Sequence, residues 1–234
     1  MSINDSFELF VKAQKQAFGG VLLDVFVKLK TNADSIQDHK NTKLHWIACA
    51  LLIEQRNDLT NLRARQLSDF FMFGGYRRYG LKGKVVALLY PNPNRRHCGD
   101  IDLWVEGKRD DIENYIHYKG VRVYDVLLVH AIAEFFKDVP VEIHFCPSWM
   151  YNPIFNRKLQ LFFASQTSEQ FAHYDEKVGF AYPTVFFNFV HSMGHINRHV
   201  FEERIGLRQL MDYYYISKRS SVKNGVRIIM CYAL

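Results

Sequence analysis

The first third of the chain has apolar residues at helical spacing. Between residues 7 and 30 the apolar positions recur every three or four residues and form one broad stripe, which predicts helical structure. Residues 42–54 and 62–73 show the same periodicity and predict two further helices. We therefore expect residues 1–73 to form an N-terminal helical region.

The pattern changes after residue 73 to short runs in which apolar and polar residues alternate. Such runs predict strands over residues 76–81, 101–105, 123–130 and 139–145, and Gly, Pro and Asn residues separate them. Helical patterns follow Gly83 and Arg109. We expect a mixed α/β core over residues 74–150.

The last third again has a helical pattern. Helices are predicted over residues 157–165 and 184–215, and Pro183 suits the first turn of the second one. A basic segment, residues 217–223, and a short apolar run then end the sequence, whereas helical domains usually finish with a capped helix and polar residues. We expect residues 151–234 to be a helical C-terminal region that lacks its last helix or two. The predicted fold class is α+β, with a mixed β-sheet core and flanking helices.

Composition and charge narrow the class of protein. A chain of 234 residues can bury a full core, and its formal charge of +6 favours anionic partners, although the basic residues are spread along the chain. The longest uncharged apolar run, residues 46–53, is too short to cross a bilayer, and the first residues lack the basic start of a secretory signal. The cysteines form no C-x-x-C pair, which argues against a zinc knuckle or a disulfide framework. We expect a soluble cytoplasmic protein with reduced thiols and no membrane association.

The strongest candidate for chemistry is a set of carboxylates on two predicted strands. Asp100 and Asp102 alternate with apolar residues, so both project from the same face of one strand. Glu142 and His144 alternate in the same way on a later strand, and they share the face of the aspartates if the two strands are neighbours. Three converging carboxylates can hold two Mg²⁺ ions, whereas imidazole is a poorer Mg²⁺ ligand, so His144 is given a neighbouring role.

A glycine turn and a basic loop precede these carboxylates. Lys82 and Gly83 stand between a predicted strand and a predicted helix, where backbone N–H groups and the lysine charge suit a phosphate, although many such turns are purely structural. The following loop carries Arg95 and Arg96 towards the acidic strand. Arg95 is expected to be exposed.

Four histidines and one arginine–aspartate pair are further candidates. His191, His195 and His199 recur every four residues and therefore share one side of a helix, where they either line a cleft or pack against other residues. The sequence has no H-E-x-x-H motif, so a zinc hydrolase is not predicted. His130 ends a strand near the acids. Arg208 and Asp212 are expected to form a structural bridge between helices, and residues 213–215, three tyrosines, are expected to pack rather than to stack on bases.

These motifs together resemble a known family. Leu81-Lys82-Gly83, Tyr90-Pro91, Arg96, Gly99-Asp100-Ile101-Asp102-Leu103 and Val141-Glu142-Ile143-His144 are similar to the uncharacterised nucleotidyltransferase family common in Bacteroidetes, a branch of the DNA polymerase β-like nucleotidyltransferase superfamily. The C-terminal helical pattern with His191, His195 and residues 206–212 also fits.

The resemblance implies a nucleotidyltransferase-type fold and transfer of NMP from an NTP. It implies two Mg²⁺ ions on Asp100, Asp102 and Glu142, with triphosphate contacts near the first glycine turn. Where the superfamily has Gly-Gly or Gly-Ser, this chain has Lys82-Gly83, so Lys82 would replace the usual hydroxyl contact to phosphate. Gly74-Gly75 stands before the predicted strand and is therefore not assigned as the phosphate turn. The nucleotide-binding candidates are Lys82, Gly83, Arg96, Gly99 and His144.

Two other functions remain open from the sequence. One is a non-catalytic nucleotide-binding or antitoxin-like interaction protein with the same fold. The other is a basic nucleic-acid-binding domain, which is not favoured because no basic helix or aromatic platform is evident. The acceptor, a small molecule or a macromolecule, is not identified by the sequence.

Overall fold

The protein combines eight helices with a mixed sheet in the parts that a computed structural model describes, residues 3–28, 40–175, 180–202 and 206–219. The helices are α1 (Ile3–Lys15), α2 (Gly19–Lys28), α3 (Lys40–Phe73), α4 (Lys82–Ala87), α5 (Arg109–Tyr118), α6 (Pro153–Ala172), α7 (Val185–Glu202) and α8 (Leu207–Arg219). The strands are β1 (Arg78–Leu81), β2 (Ile101–Val105), β3 (Val123–Val126), β4 (His130–Ala133), β5 (Val141–His144), β6 (Tyr174–Asp175) and β7 (Phe180–Ala181).

The strands form one seven-stranded sheet in the order β3-β4-β5-β2-β1-β7-β6. The β2–β5 and β1–β7 pairs are parallel, whereas the other four pairs are antiparallel. This mixed sheet with flanking helices confirms the predicted α+β class and is consistent with the fold that the resemblance implies. The division of the chain after residues 73 and 150 stays a prediction.

Helices cover both faces of the sheet, because successive side chains of each strand point to opposite sides. Leu103 on β2 and Ile143 on β5 belong to a buried cluster with residues of α3 and α5, whereas Trp104 on β2 belongs to a second cluster with residues of α6 and α7. The aspartate at position 102 is two residues before Trp104 and therefore faces the α6–α7 side. The members of the two clusters that come from helices include Leu67, Phe71, Ile112, Ile116, Phe162, Phe163 and Phe187.

The helix α3 is one continuous helix of 34 residues, so the prediction of two separate helices is wrong. Residues 55–61, which no predicted helix included, continue the helix, and two of their polar side chains are buried with hydrogen-bond partners. Asn57 contacts backbone atoms of the loop before β2, and Thr60 donates to the Arg56 carbonyl oxygen. Because the polar atoms of both side chains have hydrogen-bond partners, the helix can bury this face without a break.

Each of three other predicted elements is two separate elements in the structure, and the helix predicted over residues 157–165 is longer at both ends. The first helical stripe is split into α1 and α2 at Ala17, whose φ of +51° lies in the left-handed region. The strand predicted over residues 123–130 is a hairpin of β3 and β4, whose turn is closed by Leu127 N–H donating to the His130 carbonyl oxygen. Its apolar turn carries no Gly or Pro signal. The helix predicted over residues 184–215 is two helices, α7 and α8, and the basic segment beyond Arg219, with Cys231, lies outside the described residues.

Among the described residues, no helix is both long and apolar enough to cross a membrane.

Candidate functional site

The three predicted carboxylates come together on one face of the sheet. In the parallel β2–β5 pair, Asp102 lies directly opposite Glu142, and Asp100 directly precedes β2. Ligand oxygens of Asp100, Asp102 and Glu142 all lie within 4.8 Å of one another. The strand alternation fixed the face, and the parallel pairing brought the third acid beside the first two.

The central carboxylate, Asp102, is buried between two nitrogen donors. Lys82 Nζ donates to Asp102 Oδ1 at 3.0 Å, and His144 Nε2 lies 2.9 Å from the same oxygen. Burial alone raises the pKa of Asp102, but Lys82 and His144 outweigh it and hold this pKa well below its usual range. Asp102 is therefore an ionised carboxylate with 4% of its surface exposed.

The pKa of Asp100 is shifted in the opposite direction, upwards. The negative charge of Asp102, followed by burial, raises the pKa of Asp100 to about 6. Two neighbouring carboxylates with such separated pKa values form a site of high negative potential that favours a cation.

Glu142 has two imidazole neighbours. Its Oε2 lies 3.4 Å from His144 Nε2 and 3.9 Å from His130 Nε2. The contact with His144 is the main reason why the pKa of Glu142 is lowered. The two histidine rings face each other across β4 and β5, with centroids 5.1 Å apart.

The three carboxylates are ligands that suit a divalent cation. Three carboxylates supply the oxygen ligands that Mg²⁺ prefers, and Asp102 and Glu142 are ionised before any cation binds. The all-oxygen set and the two ionised carboxylates could hold a divalent cation such as Mg²⁺.

The glycine turn lies against the carboxylates, but it differs in detail from the expected phosphate turn. Lys82 has a φ of +44° in the left-handed region, an uncommon and strained conformation for a residue with a side chain. Gly83 follows with φ near 2°, and a Cβ at this position would stand 3.7 Å from the Asp100 carbonyl oxygen. The turn aims the Lys82 ammonium at Asp102, so its charge is matched by a carboxylate. Gly99, on the other side, is exposed and lines the same cleft.

The structure pairs Arg96 with an acid from the C-terminal helices. Arg96 Nε and Nη2 donate to the two carboxylate oxygens of Asp212 at 2.7 and 2.6 Å, and the Tyr90 hydroxyl donates to Asp212 Oδ1 at 2.7 Å. This buried pair links the loop before β2 to α8, although the two residues are 116 positions apart. Arg96 still lines the cleft, and its contact with triphosphate stays a prediction.

The expectation that Arg95 is exposed is wrong. Its side chain is 25% exposed and forms ion pairs with Asp24 on α2 and Glu54 on α3, the second at 2.9 Å. The N-terminal helices thus hold the loop in place, because Asn57 also donates to the carbonyl oxygens of Asn94 and Arg96.

A cleft of about 370 Å³ opens over the carboxylates. Its far wall comes from α7 and α8, so the C-terminal helices complete the site. His191 and His195 both line this cleft, whereas the side chain of His199 lies outside the described residues. Other lining residues include Lys82, Arg96, His130, Ser192, Arg208, Gln209 and Asp212.

His191 is a fully buried, neutral member of that wall. Its Nε2 lies 3.0 Å from the Pro147 carbonyl oxygen, and only 1% of its surface is exposed. Burial, followed by the charge of Lys82, lowers the pKa of His191 to about 3.

Arg208 is a cleft residue whose position the sequence argument missed. The prediction assigned it to a bridge with Asp212, but Asp212 is engaged by Arg96 and Tyr90, while Arg208 donates to the His97 carbonyl oxygen at 3.4 Å. The spacing of four residues between Arg208 and Asp212 indicated that the two side chains share one face of a helix. In the structure this face lines the cleft.

Comparison with known proteins agrees with this geometry. A protein-family model described as an uncharacterised nucleotidyltransferase matches residues 20–224. The chain belongs to this nucleotidyltransferase family. The matched range includes all three carboxylates, the Lys82-Gly83 turn and the α7–α8 wall. Family membership supports a transferase that uses a nucleotide. No curated protein matched the chain.

Proposed function

We propose that the protein is a metal-dependent nucleotidyltransferase of the DNA polymerase β-like type that transfers NMP from an NTP to an acceptor hydroxyl in the cytoplasm. The observation that carries this proposal is the convergence of the Asp100, Asp102 and Glu142 carboxylates at the floor of a cleft with cationic side chains. Family membership supports the reaction class.

In the proposed reaction, the acceptor oxygen forms a bond to the α-phosphorus while the bond to the pyrophosphate oxygen breaks. Two Mg²⁺ ions held by the carboxylates would lower the pKa of the acceptor hydroxyl and neutralise the charge of the departing pyrophosphate. Lys82, the Gly83 amide and Arg208 lie around the same cleft and would bind the triphosphate, with Arg96 and Gly99 beside them. Glu142 or a neighbouring histidine would accept the proton that the acceptor releases.

A labelling experiment tests this function with any acceptor that a cell extract contains. The protein is incubated with each α-³²P-labelled NTP and Mg²⁺ in the extract, and any labelled product is isolated. We expect one NTP to give a labelled product, and Asp102→Asn to abolish it, because the central ligand loses its charge. Asp110→Asn, at an exposed position on α5, is the matched control and should retain activity. Labelling at the wild-type rate by Asp102→Asn would contradict the mechanism.

The ion pair between Lys82 and Asp102 favours one alternative. An ammonium group 3.0 Å from the central carboxylate supplies the positive charge that a cation would otherwise provide. A non-catalytic nucleotide-binding or antitoxin-like protein with this fold would therefore need no metal ion to balance the charge of Asp102. Calorimetry separates the two functions: the enzyme binds NTP more tightly with Mg²⁺ than without, whereas the binding protein shows no such dependence.

A further inference from the structure

A second group of metal-ligating atoms lies beside the three carboxylates. It consists of His130, Glu142 and His144, whose ligand atoms lie within 4.8 Å of one another. Glu142 belongs to both groups, so the second group is directly adjacent to the all-oxygen group. His130 on β4 and His144 on β5 are paired residues of adjacent strands and therefore point to the same face of the sheet.

The distances within this group suit direct ligation of one ion. Two ligands bound at about 2.1 Å to a tetrahedral ion are about 3.4 Å apart, and wider ligand angles give larger separations. Glu142 Oε2 lies 3.4 Å from His144 Nε2 and 3.9 Å from His130 Nε2. The two imidazoles need little movement to share an ion with the carboxylate.

The burial of the two rings also favours a fixed site. The side chains of His130 and His144 are 12% and 2% exposed, so strand packing holds both rings in place. His144 Nδ1 is buried without a hydrogen-bond partner among the described residues, so no contact there opposes a move of the ring proton to Nδ1. In the metal-free protein His144 Nε2 presents its N–H to the ionised Asp102 carboxylate, and it would present a lone pair to a cation once that proton has moved to Nδ1.

The ligand chemistry determines which cation fits. Mg²⁺ prefers oxygen ligands and imidazole nitrogen suits ions such as Co²⁺ and Zn²⁺, whereas Mn²⁺ favours oxygen but also accepts imidazole in a mixed set of ligands. We propose that His130, Glu142 and His144 form a site for a divalent transition ion such as Mn²⁺, Co²⁺ or Zn²⁺, beside the all-oxygen group. This inference rests on the proposed function, because Glu142 would belong to both sites. It adds a transition-ion site beside the Mg²⁺ site of the three carboxylates.

Pulsed electron paramagnetic resonance tests the proposal with MnCl₂ as the probe, added to protein in excess MgCl₂ so that Mg²⁺ occupies the all-oxygen group. Directly bound imidazole gives ¹⁴N modulation of the Mn²⁺ signal, and carboxylate oxygen does not. We expect ¹⁴N modulation in the wild-type protein and a weaker one in His130→Gln. We also expect His130→Gln to lower Mn²⁺ affinity at least about tenfold while Mg²⁺ affinity changes less than about twofold.

Two further variants keep the test interpretable. His130→Glu replaces the nitrogen ligand by oxygen, so it should still bind Mn²⁺ with a reduced ¹⁴N signal, which shows that the site is intact. His195→Gln changes a histidine that lines the cleft but lies outside both groups, and it should leave the Mn²⁺ spectrum unchanged.

The outcomes distinguish this proposal from the proposed function. Mn²⁺ binding without ¹⁴N modulation, or equal Mn²⁺ affinity in the wild type and His130→Gln, would overturn the transition-metal site and leave a two-magnesium enzyme. The histidines would then act only as hydrogen-bonding neighbours of Asp102 and Glu142. Failure of both Mg²⁺ and Mn²⁺ to bind, with or without NTP, would overturn both proposals.

Discussion

The Lys82 ammonium donates a hydrogen bond to the carboxylate of Asp102, which is also the central member of the three-carboxylate group. The lysine reaches this position because its backbone adopts a left-handed conformation at the end of β1. The same side chain therefore neutralises the metal-free site and stands where an incoming triphosphate would need a positive charge.

Removing the Lys82 charge should affect cations and nucleotides in opposite directions. In Lys82→Met, Asp102 loses its competing ammonium, so Mg²⁺ affinity without nucleotide should rise about threefold to tenfold, on the order of 1 kcal/mol. Affinity for Mg²⁺ with ATP should fall, because a phosphate contact is lost. Isothermal titration calorimetry measures both, and Lys108→Met, at an exposed position, serves as the control. A fall in both affinities would show that Lys82 mainly maintains the shape of the turn.

Asp100 should lower the stability of the metal-free protein at neutral pH. Its folded-state pKa of about 6 lies above the ordinary value of 3.8, so the folded protein binds this proton more tightly than the unfolded chain does. The resulting penalty is absent well below pH 3.8, develops between about pH 4 and 6, and stays constant above pH 6. Asp100→Asn should therefore stabilise the protein by about 1–3 kcal/mol at pH 7.5. Urea denaturation in a chelating buffer measures it, and an equal difference at pH 4 and 7.5 would contradict the explanation.

His191 should make the fold sensitive to acid. Its folded-state pKa of about 3 lies below the ordinary value of 6.5, so the unfolded chain takes up the proton first as the pH falls. The stability from the neutral, buried ring is complete above pH 6.5 and decreases from there towards pH 3, by about 2 kcal/mol at pH 5. His191→Gln keeps a donor for the Pro147 carbonyl oxygen but cannot titrate, so its urea midpoint should vary less between pH 5 and 7. His117→Gln, on the exposed face of α5, should retain the wild-type slope.

Asn57 should be important for the loop that precedes β2. Its buried side chain donates to two loop carbonyl oxygens at 2.7 Å each and accepts from the Cys98 N–H at 3.3 Å. Asn57→Ala leaves these groups without partners in the interior and should cost about 2–4 kcal/mol of unfolding free energy. Thermal or urea unfolding checks this value, and Asn114→Ala, exposed on α5, should change stability by less than about 0.5 kcal/mol.

The Arg96–Asp212 pair should behave as a structural unit. Asp212→Asn leaves the buried Arg96 guanidinium without its carboxylate, which should cost about 3–5 kcal/mol. The double variant Arg96→Met with Asp212→Leu removes both charges and should be more stable than Asp212→Asn alone. A double-mutant cycle in urea with Arg96→Met, Asp212→Leu and the double variant measures the coupling, and additive effects would show that the two side chains do not interact in solution.

Much of the site could be predicted from the sequence because strand periodicity is a local property. Alternation of Asp100 and Asp102 with apolar neighbours identified β2 with its correct bounds, residues 101–105, and indicated that both acids share a face. The same rule identified the strand that carries Glu142 and His144.

Other features could not be predicted because they depend on distant partners. Asn57 lay between two predicted helices, and its burial could not be predicted because its loop partners lie 37 to 41 positions further along the chain. Arg96 looked like a free phosphate ligand, since its carboxylate partner is on α8. The hairpin turn before His130 carries apolar residues, so the pattern gave no turn signal.

The sequence by itself determined the α+β class, the strands that bear the acids and the face to which these acids point, because each depends on the spacing of neighbouring residues. Only the tertiary structure decided that β2 and β5 are parallel neighbours, that Lys82 and His144 flank Asp102, and that α7 and α8 close the cleft. These relationships follow from the packing of segments far apart in the chain, where the burial of each charge selects its partner.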